Sequence, residues 1–349
     1  MTWLDVWIRA VIVPAARRAL PVWLGAGITA AVIFGGTGMA PHDLTQLALH
    51  APAVGAGLAV TWMLLFVPTA RLLVRDDATR YLRSLPFAPL PPRLLAVLAL
   101  VALQLPWLAL WLLGERAVGG ALAVALTPII AVAALWRERP ARVASRSWRG
   151  PMTGLIAIHG RALRRRASDA LLRVCGLAAL AGGAAGLFVR NNELAPAEAS
   201  VLATAVIAVV LVPGWVGCLL PLVESHRASA WLAQSLGIGE RARIAALGAV
   251  IAGVYVAASA LAVGVAAVVI ADGQAALWLG AIGVSTSAGL SLVVTRAVIW
   301  AERSDAVAAK TVIGAIVASA LAVLLLGWLG AEGAAALFGV GVLAIGSSS

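Results

Sequence analysis

Residues 199–222 read ASVLATAVIAVVLVPGWVGCLLPL, a stretch without a single charge. As a helix it exceeds the about 20 residues that cross the hydrocarbon layer of a bilayer. It lacks the two-residue alternation that marks a strand of a membrane barrel. The rest of the chain is built alike. Of 349 residues, 62% are hydrophobic and 12% charged, and the mean hydropathy is +1.00. Soluble domains carry about 25% charged residues, and no soluble core could bury so much apolar surface. Lipid is therefore the expected solvent, which excludes an ordinary cytosolic enzyme and a disordered chain.

Working outward from 199–222, runs bounded by charge give ten candidate spans. They are 20–36, 51–73, 94–114, 118–136, 172–189, 199–222, 244–271, 276–299, 311–330 and 333–346. The last is short enough to be re-entrant instead. The formal charge of +11 rests on 25 arginines and one lysine, Lys310. These fall in short stretches between the runs, the pattern that orients membrane proteins rather than one that binds nucleic acid. With the N-terminus in the cytosol, ten spans put 24 of the 26 basic residues inside and leave only Arg116 and Arg190 outside. The expectation is an all-α, polytopic protein of the bacterial inner membrane with about ten transmembrane helices and both termini cytoplasmic. The two cysteines, Cys175 and Cys218, lie inside apolar runs and read as small core residues, with no disulfide framework.

Before the first span, Trp3, Trp7 and Val11 recur at helical spacing with Leu4 and Ile8 beside them. This predicts an amphipathic helix flat in the interface with its tryptophans at headgroup level. No small-residue cleavage site follows closely, against a signal peptide.

Two stretches look like copies of one unit. Ala51-Pro52-Ala53, Phe66-Val67-Pro68 and Ser84-Leu85-Pro86 follow in that order. Ala195-Pro196-Ala197, Leu211-Val212-Pro213 and Ser235-Leu236-Gly237 match them. Four spans separate the copies, so they share one orientation and form a parallel repeat. The expected organisation is a first repeat at 1–136 with four spans, an Arg-rich linker at 137–171 holding a second interfacial helix, and a second repeat at 172–349 with six spans.

In each copy a cytosolic loop predicts a short amphipathic helix. Tyr81, Leu82 and Leu85 share one face, ringed by Asp76, Asp77, Arg80 and Arg83. Trp231, Leu232 and Leu236 make the matching face, with Gly237 placed as a C-cap. Such a helix can lie on the membrane or plug into a partner's groove.

An amphipathic N-terminal helix, two spans and an acidic–basic loop ending in Leu82-Arg83-Ser84-Leu85-Pro86 resemble permease subunits of type-2 ATP-binding-cassette exporters. The resemblance covers 155–346 as a six-helix core and 1–136 as a core without its last two helices. It implies that Tyr81, Leu82, Arg83, Ser84, Leu85 and Pro86, and Trp231, Leu232, Ser235, Leu236 and Gly237, couple the chain to a separate cytosolic ATPase subunit. That subunit, a dimer in such systems, would carry the ATP and Mg. A second copy of the permease and membrane lipids are the other partners expected. The ten-span duplication departs from the family pattern, and the second loop lacks the proline and the final arginine of the first.

The residues exclude several other activities. No Gly-rich loop precedes Lys310, so no nucleotide site lies in this chain, and no cofactor of its own is expected. All 15 acidic residues fall in loops or at span ends, which argues against an ion-coupled pump. The deepest polar group is Gln104, a candidate substrate contact or an interhelical hydrogen bond beside Pro106. His42, Asp43 and His50 share one outer loop but lack convincing metal-ligand spacing, and no nucleophile stands with a histidine at a recognisable spacing. Gly182, Gly183, Gly186, Gly280, Gly283 and Gly289 permit close helix contact. The expected function is outward movement of a lipid-like, peptide or other amphipathic substrate. The alternatives are a membrane scaffold for a cytosolic partner and an ATP-independent lipid or polyprenol carrier.

Overall fold

A computed structural model describes residues 3–36, 39–75, 92–114, 120, 150–304 and 306–346. All regular structure among them is helical. Six helices are long and apolar enough to cross a membrane, or seven if the N-terminal pair Leu4–Arg17 and Val22–Gly35 forms one span. The chain is a multi-pass, all-α membrane protein. The expected span at 118–136 (Gly120 apart), residues 76–91 of the expected first cytosolic loop, and the expected linker up to 149 lie outside the described residues.

The chain divides into two compact units, Met1–Leu24 with Gly38–Ala144, and Gly25–Thr37 with Ser145–Ser349. The first unit opens with α1 (Trp3–Trp7), a π-helical segment Ile8–Ile12 and the start of α2 (Val13–Ala31). Then follow α3 (Pro41–His50), α4 (Pro52–Arg75), α5 (Pro92–Ala102) and α6 (Leu105–Leu113). Trp7 and Val11 turn inward onto Phe66, Ala70, Leu73 and Leu100, while Leu4 and Ile8 stay exposed. The 94–114 run is broken at Leu103–Gln104, because Pro106 removes a backbone donor and crowds the preceding turn. Trp62 stacks on Trp107 at 5.3 Å, and Trp107 meets Trp111 edge-on.

The second unit takes the last residues of α2 and a π-helical segment, Val32–Gly36, which rests on α8. Its own helices are α7 (Pro151–Arg166), α8 (Ser168–Asn191), α9 (Pro196–Ala228), α10 (Ala230–Ser235) and α11 (Glu240–Ile270). They are followed by α12 (Gly273–Glu302), α13 (Val307–Leu329) and α14 (Glu332–Gly346). α9 lies between α8, α12 and α13, and α12 between α9, α11, α13 and α14. Pro213 and Pro221 sit inside α9 without ending it, as neighbouring helices and local adjustment permit in a membrane helix. The backbones pack closely. A Cβ on Gly186 would stand 2.8 Å from Val269 of α11, and one on Gly289 2.8 Å from the Phe338 nitrogen of α14. The turn from α11 to α12 needs only Ala271, in the left-handed region, and Asp272, whose carboxylate accepts the Gln274 N–H at 3.0 Å.

Candidate functional site

The Arg-rich end of the second unit assembles most of its polar chemistry. α9 carries apolar residues to Val223 and stays helical through Glu224-Ser225-His226-Arg227-Ala228. Ser229 then bends the chain: its N–H bonds the Ser225 carbonyl at 3.0 Å and its hydroxyl donates to the His226 carbonyl at 3.0 Å. α10 begins at once. Ala233 is its fully buried anchor. Gly237 closes it with φ +66°; its N–H bonds the Gln234 carbonyl and the Ile238 N–H reaches back to the Ala233 carbonyl at 2.8 Å. This Schellman closure favours glycine at that position. Held so, α10 presents Trp231, 68% exposed, and Leu236, 64% exposed, with Leu232 half-buried and Ser235 exposed, its hydroxyl donating to the Leu232 carbonyl.

Beneath α10 lies a buried cluster that the sequence reading missed. His159 of α7 and His226 of α9 are both fully or almost fully buried, with ring centroids 5.6 Å apart. His159 Nδ1 and Ser225 Oγ share a 3.0 Å hydrogen bond. Arg243 of α11 donates from Nη2 to the His226 carbonyl at 3.3 Å and approaches Glu302 of α12 at 3.7 Å. Glu302 also lies 3.6 Å from His226 Nε2. Four helices are thus tied at one end by two buried histidines and a partly buried Arg–Glu pair. Burial, and then the nearby Arg243 guanidinium, push His159 down to about 4 from the ordinary 6.5, so its ring is neutral at pH 7. His159 and His226 stand 67 residues apart in the chain, each with no second histidine near it in sequence. No spacing rule links them; only the docking of α7 on α9 and α11 does.

Farther along the same helices a second polar seam crosses the bundle. Thr204 of α9, Tyr255 and Ser259 of α11, and Thr286 and Ser287 of α12 line a cavity of about 10 Å³. Trp215 stacks on Tyr255 at 3.8 Å. The Ser259 and Ser287 hydroxyls are hydrogen-bonded to each other, and Thr286 Oγ1 has no partner among the described residues. Tyr255, Ser259, Thr286 and Ser287 fall near the middle of the 244–271 and 276–299 runs, while Thr204 stands in the second turn of 199–222, so the centre of the seam sits at mid-depth of the apolar slab.

The other expected site residues are scattered. Gln104, fully buried in the first unit, accepts a 2.6 Å hydrogen bond from Trp62 Nε1, while its amide nitrogen has no partner among the described residues. The Asp43 carboxylate caps α3 by accepting the Ala40 N–H at 2.9 Å, and His50 Nδ1 is bonded to the Gln46 carbonyl. Tyr81, Leu82, Arg83, Ser84, Leu85 and Pro86 lie outside the described residues. Among the described residues no group of three or more histidine, cysteine or acidic side chains is arranged to hold a metal. Comparison with known proteins finds no family model, no curated protein and no solved structure that matches this chain.

Proposed function

We propose that this chain is the membrane-spanning subunit of an ATP-driven exporter of the type-2 ATP-binding-cassette class. In this reading the chain spans the bacterial inner membrane ten times in two parallel repeats, with both termini and α10 on the cytosolic side. It moves a lipid-like, peptide or other amphipathic substrate outward, and a cytosolic ATPase supplies the ATP and Mg chemistry. One observation carries the proposal: α10 is a capped helical knob at the Arg-rich end, joined to α9 through Ser229 and to α11 by four residues, that exposes Trp231 and Leu236. A large aromatic and a leucine held out by a capped helix have the form of docking anchors. The neutral, hydroxyl-lined seam at mid-depth agrees with a substrate that carries no fixed charge there.

The test is to purify the full-length chain from its native membrane and measure ATPase activity in the eluate, for wild type, Leu236→Asp and the double variant Leu85→Asp/Leu236→Asp. Under this proposal an ABC ATPase elutes with the wild type and falls at least tenfold in the double variant. Undiminished co-elution in the double variant excludes docking through these loops. A cytosolic partner without nucleotide hydrolysis would point to a scaffold instead. Substrate movement with no partner at all would point to an ATP-independent carrier.

A further inference from the structure

We propose that the seam cavity of the second unit holds one buried water molecule, bound by Thr286 of α12 and by the Ser259–Ser287 pair. The cavity measures about 10 Å³, close to the least space that admits a water. Size does not by itself wet a cavity, since apolar ones much larger stay dry. The lining decides it here. Thr286, Ser259 and Ser287 all line the cavity, and each is more than nine-tenths buried. No lining residue carries a charge, so nothing would offset an ion at this depth.

The hydroxyl protons show which group needs the water. A buried threonine or serine in a helix can satisfy its proton on its own backbone. Thr204, Thr295 and Thr311 do so: they donate to the carbonyls of Ser200, Ser291 and Val307, each four residues back, at 2.6–2.8 Å. Thr286 Oγ1 makes no such bond and has no partner among the described residues. Left so, it would bear the full desolvation cost of a hydroxyl where lipid offers no replacement. Its neighbours have no proton to give. Ser287 donates to the Gly283 carbonyl at 2.8 Å, so it accepts from Ser259, and that bond uses the Ser259 proton. Both serine oxygens keep a lone pair. A water accepts the Thr286 proton and donates to a serine oxygen, which gives it the two polar partners a buried water needs. It thereby adds a bridge between α12 and α11 beside the direct serine bond. The proposal concerns the bundle alone and stands whether or not an ATPase docks on α10.

The test is an experimental structure of the full-length chain in lipid nanodiscs, at a resolution that shows ordered water, for wild type, Thr286→Val and Thr286→Ser. One density peak is expected at hydrogen-bond distance from Thr286 Oγ1 and from a serine oxygen. It should persist in the serine variant and vanish in the valine one. Thermal melts give a second readout that needs no map. Valine has threonine's shape and a similar helix propensity, so the two differ at this site by the hydroxyl. If water satisfies that hydroxyl, Thr286→Val loses a hydrogen bond and Tm falls by roughly 1–6 °C. If the hydroxyl is unsatisfied, its removal leaves Tm unchanged or raises it. Four results would overturn the proposal. They are a wild-type cavity without density although its lining is resolved, Thr286 Oγ1 bonded instead to the Ile282 carbonyl, a peak at metal-ion contact distances, and a Tm that is unchanged or higher in Thr286→Val.

Discussion

Replacing Gly182 by alanine would place a Cβ on the Ala262 carbonyl oxygen of α11 and 2.9 Å from its Cα. Neither group can rotate away, since one belongs to a helix backbone and the other is fixed to one. α11 must therefore retreat from α8 by about 1 Å, and a gap of that size forfeits a quarter to a half of each dispersion contact across the interface. Overpacking of this kind costs about 1–3 kcal/mol, and a backbone-to-backbone clash belongs at the upper end. Gly183 is the internal control: a Cβ there meets nothing within 4 Å. Both substitutions gain the same helix propensity, which cancels in the comparison. The expected difference between G182A and G183A is about 3 kcal/mol. At roughly 2–4 °C per kcal/mol for a unit of this size, it amounts to a Tm gap of roughly 6–12 °C. Thermal melts of the two purified variants in one detergent read it directly. G186A should fall with G182A, because its new Cβ would stand 2.8 Å from Val269 and 2.9 Å from the Ala266 oxygen. If G182A and G183A melt within a degree or two of each other, the α8–α11 contact is not what holds the second unit together.

Three further outcomes are expected. His159 titrates near 4 when folded and near 6.5 when unfolded, so the unfolded chain binds the proton more readily and acid destabilises the fold. Its stabilising contribution is full above about pH 6.5 and is lost as pH falls toward 4, at a cost of about 2–3 kcal/mol by pH 4.5; His159→Asn should flatten the fall in Tm between pH 7.5 and 4.5, and an unchanged slope would locate the titration elsewhere. Trp231→Ala should leave the melt within about 0.5 kcal/mol of wild type, because the side chain is exposed, while weakening ATPase co-sedimentation by roughly 30-fold or more, as removal of a docking anchor does. Gln104→Leu deprives Trp62 Nε1 of its acceptor and should cost about 1–2 kcal/mol of stability with transport retained; loss of transport at full stability would make Gln104 a substrate contact.

The apolar runs are legible because lipid demands uniformity: the uncharged stretch 199–222 falls inside the helix Pro196–Ala228. The helix ends are less legible, since charge marks where the hydrocarbon stops and not where backbone hydrogen bonding stops. Thus Glu224–Ala228 continues α9 by more than a turn beyond its run. Pro106 illustrates the opposite case. A single residue inside the apolar run 94–114 separates α5 from α6 and leaves Gln104 at the break, while Pro213 and Pro221 interrupt nothing. The difference lies in the neighbours, which a one-dimensional reading does not contain. Trp231, Leu236 and Gly237 could be read locally because a short helix and its cap depend on adjacent residues. The His159–Ser225 and Arg243–Glu302 contacts could not, because each joins helices brought together only by packing. Trp7 shows the ambiguity of amphipathic stripes: the periodicity marks one apolar face, and the structure turns that face onto Phe66 and Leu100.

If α10 is the point of attack for an ATPase, the two polar layers of the second unit divide the labour. α10 is continuous with α9 through Ser229 and leads within a few residues into α11, so a push on Trp231 and Leu236 reaches both helices at their shared end. There the His226 carbonyl, Arg243 and Glu302 tie α9, α11 and α12, and His159 ties α7 to them. Parting these groups would break hydrogen bonds to partly buried charged groups, which costs about 1.5–3 kcal/mol each. At mid-depth the same helices are joined by neutral hydroxyls, notably Ser259 with Ser287, and such interhelical bonds contribute only about 0.6 kcal/mol on average. Motion introduced at the Arg-rich end should therefore carry that end as one body and be taken up at the seam. Ser259→Ala/Ser287→Ala should then leave ATPase docking intact while changing how hydrolysis is coupled to transport. Measured hydrolysis per substrate moved that is unchanged in this variant would place the moving joint elsewhere.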